Sequence, residues 1–504
     1  MAITLDTKRL VFIVAVLGVF AMSSRISLDS DTWWHLRAGQ WMLEHNEILQ
    51  ADQFSYTRLG EEWKYPGWIF QIPMYMIYNL LGPGGLNLLT ATIVTTTFIF
   101  IWFTLEGGPL LKAFVLILAA ATSAVYWAAR PYLVTFLFSA IFFWILEDFR
   151  WRGKNRLYWL PVIMLLWANS HGGFIIGFLL WGVYLLWFVW CFVSNLISKG
   201  KGFYDYPEFK EYKKQIIKFL VIGIFMLVAV CINPSGPVML LYPFKTIGIN
   251  VLRDYIEEWQ SPNFHLSSFQ PFVLMIVLII GVLGASRKRI ALTDFLLVSG
   301  FLYMSFYAAR NVAIFALVTP AMITRHATVI INKSRRLLKV SPTPSAVSGR
   351  RQQVLNSAIV IILFILVFAK AAVDFPEKKY FETMVSKFPV YAVEYLEGRK
   401  LSGHLFSTYN WGGYLMMELM EYPVFIDGRT DLYTAEIVSE WLGVMRMEGG
   451  WGDTIEKYDI QTILIPADAG LTNWLDMDDE WKNIYSDDIS AIFTRNITNQ
   501  NVFD

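Results

Sequence analysis

The chain has 504 residues, of which 55% are hydrophobic and only 16% are charged, and its mean hydropathy is +0.44. This composition excludes an ordinary soluble globular protein, in which roughly a quarter of the residues are charged, and indicates an integral membrane protein. The net charge of +1 carries no information about partners, and we expect no nucleic-acid partner.

The first apolar run, residues 9–25, includes Arg9 and is not followed by a small-residue cleavage pattern. We therefore predict a retained membrane helix here rather than a signal peptide. Further runs meet or approach the length of a spanning helix. They are 84–105, 112–129, 131–149, 157–170, 173–197, 215–233, 269–286, 290–308, 312–332 and 354–373. Since a span needs roughly 20 mostly apolar residues, the sequence predicts an α-helical polytopic membrane protein with about eleven transmembrane helices.

Basic residues collect in alternate loops between these runs. They are Lys8 and Arg9; Lys112; Arg150, Arg152, Lys154 and Arg156; Lys199, Lys201, Lys210, Lys213 and Lys214; Arg287, Lys288 and Arg289; and Lys333, Arg335, Arg336, Lys339, Arg350 and Arg351. An excess of Lys and Arg marks the cytoplasmic side. We therefore place these loops and the N-terminus in the cytoplasm, in a multi-pass protein of the plasma or cell membrane.

The apolar segment 66–82 must not cross the membrane if all these basic clusters share one side. It contains Pro66, Gly67 and Pro73 and ends in a Gly-Pro-Gly-Gly turn, so we predict a helix that lies at the membrane interface. The outer segments are then the loop 26–83, the loop 234–268 and everything after about residue 374.

The chain beyond Asp374 has charged residues throughout, and its apolar patches are too short to span a membrane. Its β-like runs are 404–408, 422–427, 461–465 and 491–494, and its helical stretches lie near 380–397, 411–420 and 434–448. We predict a transmembrane domain over 1–374, with the first outer loop at 26–83, and an extracytoplasmic soluble α/β domain over 375–504. Residues 340–351 are predicted to form a flexible cytoplasmic linker.

Ionisable side chains are almost absent from the apolar runs and lie instead at their outer ends. They are Asp29 and Asp31, Arg130, His171, and Arg310 with its neighbour Asn311. Ion-coupled transporters usually carry such groups near the middle of the membrane. In the predicted topology all of these side chains face one compartment, which indicates a site on the extracytoplasmic surface.

The segment after Asp29 is predicted to form a helix from about Thr32 to His45. Arg37, Gln40 and Glu44 form a narrow polar strip on it, and its opposite side is apolar, as in a helix that rests in the headgroup layer. Asp31 has two interpretations. It is the N-cap of this helix, or it is a general base or a metal ligand at the membrane surface.

Two stretches of the first outer loop carry a resemblance: Asp31-Thr-Trp-Trp-His-Leu-Arg-Ala-Gly-Gln and then Asp52-Gln-Phe-Ser-Tyr-Thr, followed by a Gly-rich entry into the next helix. This succession resembles the first outer loop of the GT-C superfamily of membrane glycosyltransferases, in its protein mannosyltransferase and aminoarabinose transferase branches. The likeness of helix layout extends to about residue 330. The resemblance implies a GT-C-like fold with interfacial helices in this loop.

The resemblance also implies roles for particular residues. The acid just after the first helix, Asp31 or Asp29, would be the catalytic residue. No cofactor is required; if a divalent metal ion takes part, these two carboxylates are its ligands. Related enzymes often carry a further acid before the second interfacial helix, where this chain has Pro66 and Gly67, and Glu61 or Glu62 would have to substitute.

The remaining candidates are substrate-binding residues. Arg130 and Arg310 are suited to a leaving phosphate because a guanidinium gives forked, charge-assisted bonds to phosphate oxygens; the alternative is that they only snorkel at helix ends. His171 either contacts substrate or is a packed histidine. His35 and Arg37 complete the predicted set. The stretch with Asp427, Arg429 and Asp431 is either an ordinary turn or a part of an acceptor site.

The function that follows is transfer of a sugar from a polyprenyl-phosphate carrier to a lipid, glycan or protein acceptor on the extracytoplasmic face, with membrane lipids as the other partners. A lipid-linked oligosaccharide ligase or polymerase is the alternative enzyme, because it shares the outer arginines without requiring Asp31. A transporter or a non-catalytic membrane scaffold is the alternative class. The two cysteines lie in apolar runs, and no P-loop, GxGxxG, HExxH or GxSxG motif is present, so nucleotide hydrolysis and zinc proteolysis lack support.

Overall fold

The computed structural model describes residues 5–199, 207–247, 256–338 and 349–496. Its N-terminal part is helical. The helices are α1 (Thr7–Ser23), α2 (Ser30–His45), α3 (Trp68–Trp102), α4 (Pro109–Ser123), α5 (Tyr132–Arg152), α6 (Trp159–Ala168), α7 (Ile175–Lys199), α8 (Pro207–Cys231), α9 (Tyr242–Ile247), α10 (Gln270–Ser286), α11 (Leu292–Tyr307), α12 (Val312–Leu337) and α13 (Arg350–Val373).

Every apolar run predicted to span the membrane is helical. Within the described residues, 8 helices are long and apolar enough to cross a membrane, namely α3, α4, α5, α7, α8, α10, α12 and α13 with their short extensions. The helices α1, α6 and α11 are shorter, at 17, 10 and 16 residues. The chain is therefore an integral membrane protein of polytopic helical architecture.

The predicted interfacial segment 66–82 forms the first part of α3. This helix is kinked at Gly82, whose φ of 62° and ψ of −161° are not helical, and a residue with a side chain would be strained there. At 1.5 Å per residue the part before the kink is about 21 Å long, which is shorter than the ~30 Å hydrocarbon core of a bilayer. The Gly-Pro sequence thus divides α3 into a part too short to span a bilayer and a longer second part, and the interfacial location of the first part stays a prediction.

The helix α2 begins and ends within two residues of its predicted bounds, but its predicted environment was wrong. Trp33, Trp34, His35 and Leu36 are all buried, so α2 does not rest in the headgroup layer with one apolar side. It packs between α3 and a helix of the C-terminal part. Its amphipathic pattern is weak for this reason: protein covers most of its circumference.

The C-terminal part combines short helices with one sheet. The helices are α14 (Glu377–Met384), α15 (Val390–Leu396), α16 (Tyr409–Glu418), α17 (Ala435–Arg446), α18 (Trp451–Lys457) and α19 (Gly470–Leu475), and the strands are β1 (His404–Ser407), β2 (Ile460–Pro466), β3 (Trp481–Ser486) and β4 (Ser490–Arg495). The strand order is β1-β2-β4-β3. β1 is parallel to β2, and β4 is antiparallel to both β2 and β3.

Two details of the predicted sheet were wrong. The run 422–427 is not a strand, although Val424 forms isolated bridges to Ser55 and Leu405. The strand β3 was not predicted, because Trp481–Ser486 has charged and polar residues on its exposed positions and lacks a recognisable alternation of apolar residues. The α/β character of this part is confirmed.

The first outer loop and the C-terminal part share one hydrophobic core. Trp33, Phe54 and Trp63 pack in the same cluster as Phe406 and Phe425. Backbone hydrogen bonds join the two segments, from Tyr56 N–H to the Val424 carbonyl at 3.1 Å and from Val424 N–H to the Phe54 carbonyl at 3.0 Å. The division at 374/375 stays a prediction, but the loop 26–83 is packed as part of the C-terminal side.

A buried ion-pair network joins three membrane helices, α5, α11 and α12. Arg325 donates to Glu147 at 2.6 Å and to Asp294 at 2.5 Å and 3.2 Å, and all three side chains are at most 5% exposed. These charges could not be grouped from the sequence, since they lie in different apolar runs far apart along the chain. Glu147 lies about 23 Å along α5 from Tyr132, the end that follows Arg130.

Several predicted features lie wholly or partly outside the described residues. They are residues 340–348 of the linker 340–351, the basic residues Lys201 and Lys339, and residues 248–255 of the loop 234–268.

Candidate functional site

Arg130 forms the centre of a cluster of charged side chains at the end of the helices opposite the basic residues Arg150, Arg152 and Arg156. One guanidinium nitrogen donates to Asp31 Oδ2 at 3.0 Å and lies 3.6 Å from Asp29 Oδ2, and the other donates to Glu258 Oε2 at 2.6 Å. The Arg130 side chain is 13% exposed. It is therefore held by carboxylates in the protein and does not simply snorkel from a helix end.

Asp29 and Asp31 have different roles in the local structure. Asp29 is the N-cap of α2, and its Oδ1 accepts from the backbone N–H of Asp31 at 2.9 Å. The carboxylate of Asp31 therefore does not cap α2. Its Oδ1 accepts from the Trp34 indole at 3.2 Å and its Oδ2 from Arg130. The interpretation of Asp31 as the cap is thus wrong, and each of its oxygens keeps a lone pair for a further donor.

Glu258 links Arg130 to Arg310. Its second oxygen lies 3.9 Å from an Arg310 nitrogen, and the Arg310 guanidinium stacks over the Trp259 ring at 4.5 Å. In the part of the chain that the structure describes, Arg310 donates no hydrogen bond from its side chain. The predicted convergence of Asp31, Arg130 and Arg310 is observed, and Glu258 is the member that sequence reasoning missed. A Glu-Glu-Trp stretch in a long outer loop is the only signal that pointed to it.

The electrostatics of the cluster separate its acids. Burial, followed by the neighbouring Asp29 carboxylate, raises the pKa of Asp31, and Arg130 only partly opposes this shift. Burial also acts to raise the pKa of Glu258, but Arg130 and then Arg310 outweigh it and lower that pKa to about 2. Two acids in one site with pKa values displaced in opposite directions have different proton affinities, which suits one of them to accept a proton.

His171 lies just before the short helical turn at the start of α7. Its Nδ1 accepts from the Gly173 N–H at 3.0 Å and therefore carries no proton, so the Thr135 hydroxyl donates to it at 2.8 Å while accepting from the Trp167 indole. The ring is therefore the neutral tautomer with its proton on Nε2. Burial, then Arg310 and Arg130, lower the pKa of His171 to about 3. Nε2 has no hydrogen-bond partner among the described residues and is an available donor.

His35 and Arg37 occupy two sides of α2. His35 is buried, its Nδ1 is 3.0 Å from the Gln71 amide nitrogen, and burial followed by Arg130 holds its pKa well below the ordinary value. Arg37 lies 3.8 Å from Glu44 and 5.4 Å from the Phe54 ring centroid. The structure therefore brings His35 near the cluster and places Arg37 in contacts that do not involve Asp31 or Arg130.

The donor set of the cluster does not fit a metal ion. Arg130 lies against both Asp29 and Asp31 and already supplies positive charge between them. Across the described ranges no group of three or more His, Cys, Asp or Glu side chains is arranged to hold a metal. We therefore derive no chemical step through a metal ion.

The two glutamates suggested as a further acid are engaged elsewhere. Glu61 pairs with Arg58 at 2.8 Å, Glu62 pairs with Lys64, and their side chains are 54% and 69% exposed. The structure thus gives them no place in the Asp31 cluster, where Glu258 is instead present.

The C-terminal part contributes a turn, 427–431, that lies against α2. Arg429 and Asp427 are fully buried; Arg429 donates to Asp427 at 2.7–3.1 Å and to Asp52 at 2.5 Å. Asp427 and Arg429 therefore bind each other and the first loop, and they are not open to an acceptor. Asp431 differs, since it accepts from the Tyr242 hydroxyl at 2.9 Å and is only partly buried.

Comparison with known proteins identifies relatives by structure and not by sequence. No protein-family model matches the chain, and no curated protein matches it. ArnT from Cupriavidus metallidurans bound to undecaprenyl phosphate superposes with a TM-score of 0.51 and 13% identity, over 97% of this chain and 98% of that chain. Its apo form gives 0.50 and 13%, over 96% of each chain.

A second solved protein also matches. The Archaeoglobus fulgidus oligosaccharyltransferase in the apo form has a TM-score of 0.49 and 11% identity, over 92% of this chain and 71% of that chain. The fold implied by the resemblance of the first outer loop is confirmed by the superposition on ArnT. This chain therefore has the polytopic helical fold seen in ArnT, with a C-terminal part that contains a small sheet.

Proposed function

We propose that this protein transfers a sugar from a polyprenyl-phosphate carrier to an acceptor hydroxyl on the extracytoplasmic side of the membrane. The observation that carries the proposal is the contact of one carboxylate, Asp31, with Arg130, which Glu258 links to a second arginine, Arg310. A proton acceptor is thus next to groups that bind phosphate. The shared fold with ArnT, whose structure contains undecaprenyl phosphate, supports the lipid carrier.

The proposed reaction is a single displacement. The acceptor oxygen attacks the anomeric carbon, its proton passes to the Asp31 carboxylate, and the bond between the anomeric carbon and the phosphate oxygen breaks. The polyprenyl phosphate leaves with the electron pair of that bond. Arg310 is suited to bind it because its donors are not used by described residues, and stabilising the charge that develops on the leaving group is usually the largest catalytic term.

The side of the membrane follows from the distribution of basic residues. Arg130 precedes α5, whereas Arg150, Arg152 and Arg156 lie at its other end, about 30 Å away at 1.5 Å per residue. Since Lys and Arg concentrate on the cytoplasmic side, we place the Asp31 cluster and the C-terminal part outside the cytoplasm and the N-terminus inside.

The test is transfer of radiolabelled sugar by the full-length protein in liposomes of phosphatidylglycerol and phosphatidylethanolamine. Donors are undecaprenyl-monophosphate sugars and, separately, a diphosphate-linked oligosaccharide, with extracted membrane lipids and glycans as acceptors. We expect labelled product when an undecaprenyl-monophosphate sugar is the donor. Transfer from the diphosphate donor alone would instead establish the ligase or polymerase, and movement of donor across the bilayer without transfer would establish a transporter.

A further inference from the structure

A glycine of the C-terminal part, Gly428, lies directly against the carboxylate of Asp31. A Cβ atom on Gly428 would be 2.1 Å from Asp31 Oδ1 and 3.0 Å from the Trp34 indole nitrogen. The first of these distances is shorter than any normal contact between such atoms. Only a hydrogen atom fits in the space between this backbone and Asp31.

The glycine is not required by the backbone. Gly428 is not among the described residues with positive φ, so alanine is compatible with its conformation. The position has no space for a side chain, because an added Cβ atom would clash with Asp31 and Trp34. The chain therefore uses glycine here because of a contact with the first outer loop.

The same turn of α2 receives a second close approach from the C-terminal part. A Cβ on Gly413, in α16, would be 2.9 Å from the Ser30 carbonyl oxygen and 3.3 Å from the Trp34 backbone nitrogen. The start of α2, which carries Asp31, is thus enclosed by two backbone segments that are far away in sequence.

The turn that contains Gly428 is fixed by the residues on either side of it. Arg429 donates to Asp427 and to Asp52, and the Tyr433 hydroxyl donates to Asp427 Oδ2 at 2.6 Å. Asp52 also accepts from the backbone N–H of Ser55 at 3.0 Å. These bonds are buried and tie the turn to the first outer loop, so the position of Gly428 relative to Asp31 is set by a rigid network.

From these contacts we propose that Gly428 is a positioning residue, and that the buried 427–429 turn fixes the orientation in which Asp31 faces the acceptor hydroxyl. The inference rests on the proposed sugar transfer. The Asp31 carboxylate lies between Gly428 on one side and Arg130 on the other, so a displacement of the turn or an added side chain would rotate it away from the Trp34 indole. The C-terminal part thereby completes the catalytic centre rather than only covering it.

The test compares Gly428→Ala with Gly443→Ala in full-length protein reconstituted in liposomes. A Cβ on Gly443, in the middle of α17, has no atom within 4 Å, so it is a matched control in the same part of the chain. We expect Gly428→Ala to lower kcat on the order of 100-fold, because a misplacement of about 1 Å in a reacting group has that effect. The KM for the lipid donor should stay within about threefold. The midpoint of thermal unfolding should match that of the wild type, since the carboxylate can move without unfolding the chain.

A double variant separates positioning from a general loss of packing. In an Asp31→Asn background, Gly428→Ala should cause no further fall in kcat, because the base through which it acts is already removed. A full additional fall, or a loss of rate that follows a loss of stability, would overturn the inference. If Gly428→Ala does not fold, Arg429→Lys replaces it, because one ammonium cannot reproduce the forked bonds to Asp52 and Asp427. At a temperature well below the unfolding midpoint of this variant, its kcat should fall while its KM is kept.

The two proposals fail differently. No transfer by the wild-type protein from any donor would overturn the proposed function and this inference with it. Transfer by the wild type that is undiminished in Gly428→Ala would overturn the inference alone.

Discussion

Replacing Arg429 by methionine should destabilise the joint core of the first outer loop and the C-terminal part. The Arg429 side chain is fully buried and donates hydrogen bonds to Asp427, Asp52 and the Tyr433 hydroxyl. Methionine would leave two buried carboxylates without their cation. Breaking a buried pair by removing one partner costs about 3–5 kcal/mol.

This cost can be converted to a change in melting temperature. The first outer loop and the C-terminal part together fall in the size range of 150–250 residues, for which 1 kcal/mol corresponds to about 2–4 °C. We therefore expect the unfolding midpoint of Arg429→Met to fall by roughly 6–20 °C.

The assay is thermal unfolding of the purified protein in detergent, followed by tryptophan fluorescence and by protease sensitivity. Lys379→Met is the matched control: it removes a cation from the same part of the chain, but from a pair whose side chains are 51% and 52% exposed. Such a surface pair contributes about 0–1 kcal/mol. Equal midpoints for the two variants would refute the reasoning that the network holds the loop and the C-terminal part together.

Three further predictions concern the cluster itself. Asp29→Asn keeps a good N-cap and removes a carboxylate that raises the pKa of Asp31. Because the rate of transfer rises with pH as a general base ionises, the ascending limb of the pH–rate profile should move to lower pH in this variant. An unmoved limb would exclude Asp31 as the titrating base. Arg310→Ala should raise the KM for the lipid donor about 10- to 100-fold, as expected for loss of a charged hydrogen bond, whereas Arg289→Ala, at an exposed position, should leave it unchanged; equal KM values would remove Arg310 from the phosphate site. His171→Asn places an acceptor near the position of Nδ1 but removes the Nε2 donor. The rate of transfer should therefore fall about 5- to 10-fold at unchanged thermal stability. An unchanged rate would show that Nε2 does not contact substrate.

Much of the fold could be predicted because hydropathy reports directly on helices that face lipid. Each apolar run became a helix, and the Gly-Pro sequence at residue 82 correctly marked the kink in α3. The environment of α2 could not be predicted in this way. Its cover comes from α16, more than 350 residues later, and no local pattern records such a partner.

The candidate site was predicted in part. Asp31, Arg130 and Arg310 could be grouped because each stands alone next to an apolar run, where an ionisable side chain is costly. Glu258 lies in a short helical turn within a long polar loop, where a glutamate has no such significance. The distinct roles of Asp29 and Asp31 depend on which carboxylate caps α2, which only the backbone geometry decides.

Gly428 shows the limit of sequence reasoning most clearly. An Asp-Gly pair after an apolar run is the ordinary sign of a turn, and that interpretation fits the local backbone. Its contact with Asp31 depends on the packing of two segments separated by almost 400 residues. No pattern within either segment contains that information.

The most direct test of the account is the rate at which Asp31→Asn transfers labelled sugar from the undecaprenyl-monophosphate donor that the wild type uses. Asn keeps the size of the side chain and an acceptor for Arg130 but cannot take a proton, so the rate should fall by about 10²- to 10⁴-fold, the usual contribution of a general base. Asp468→Asn, at an exposed position, should transfer like the wild type. Transfer by Asp31→Asn at the wild-type rate would contradict the central claim that Asp31 is the catalytic base.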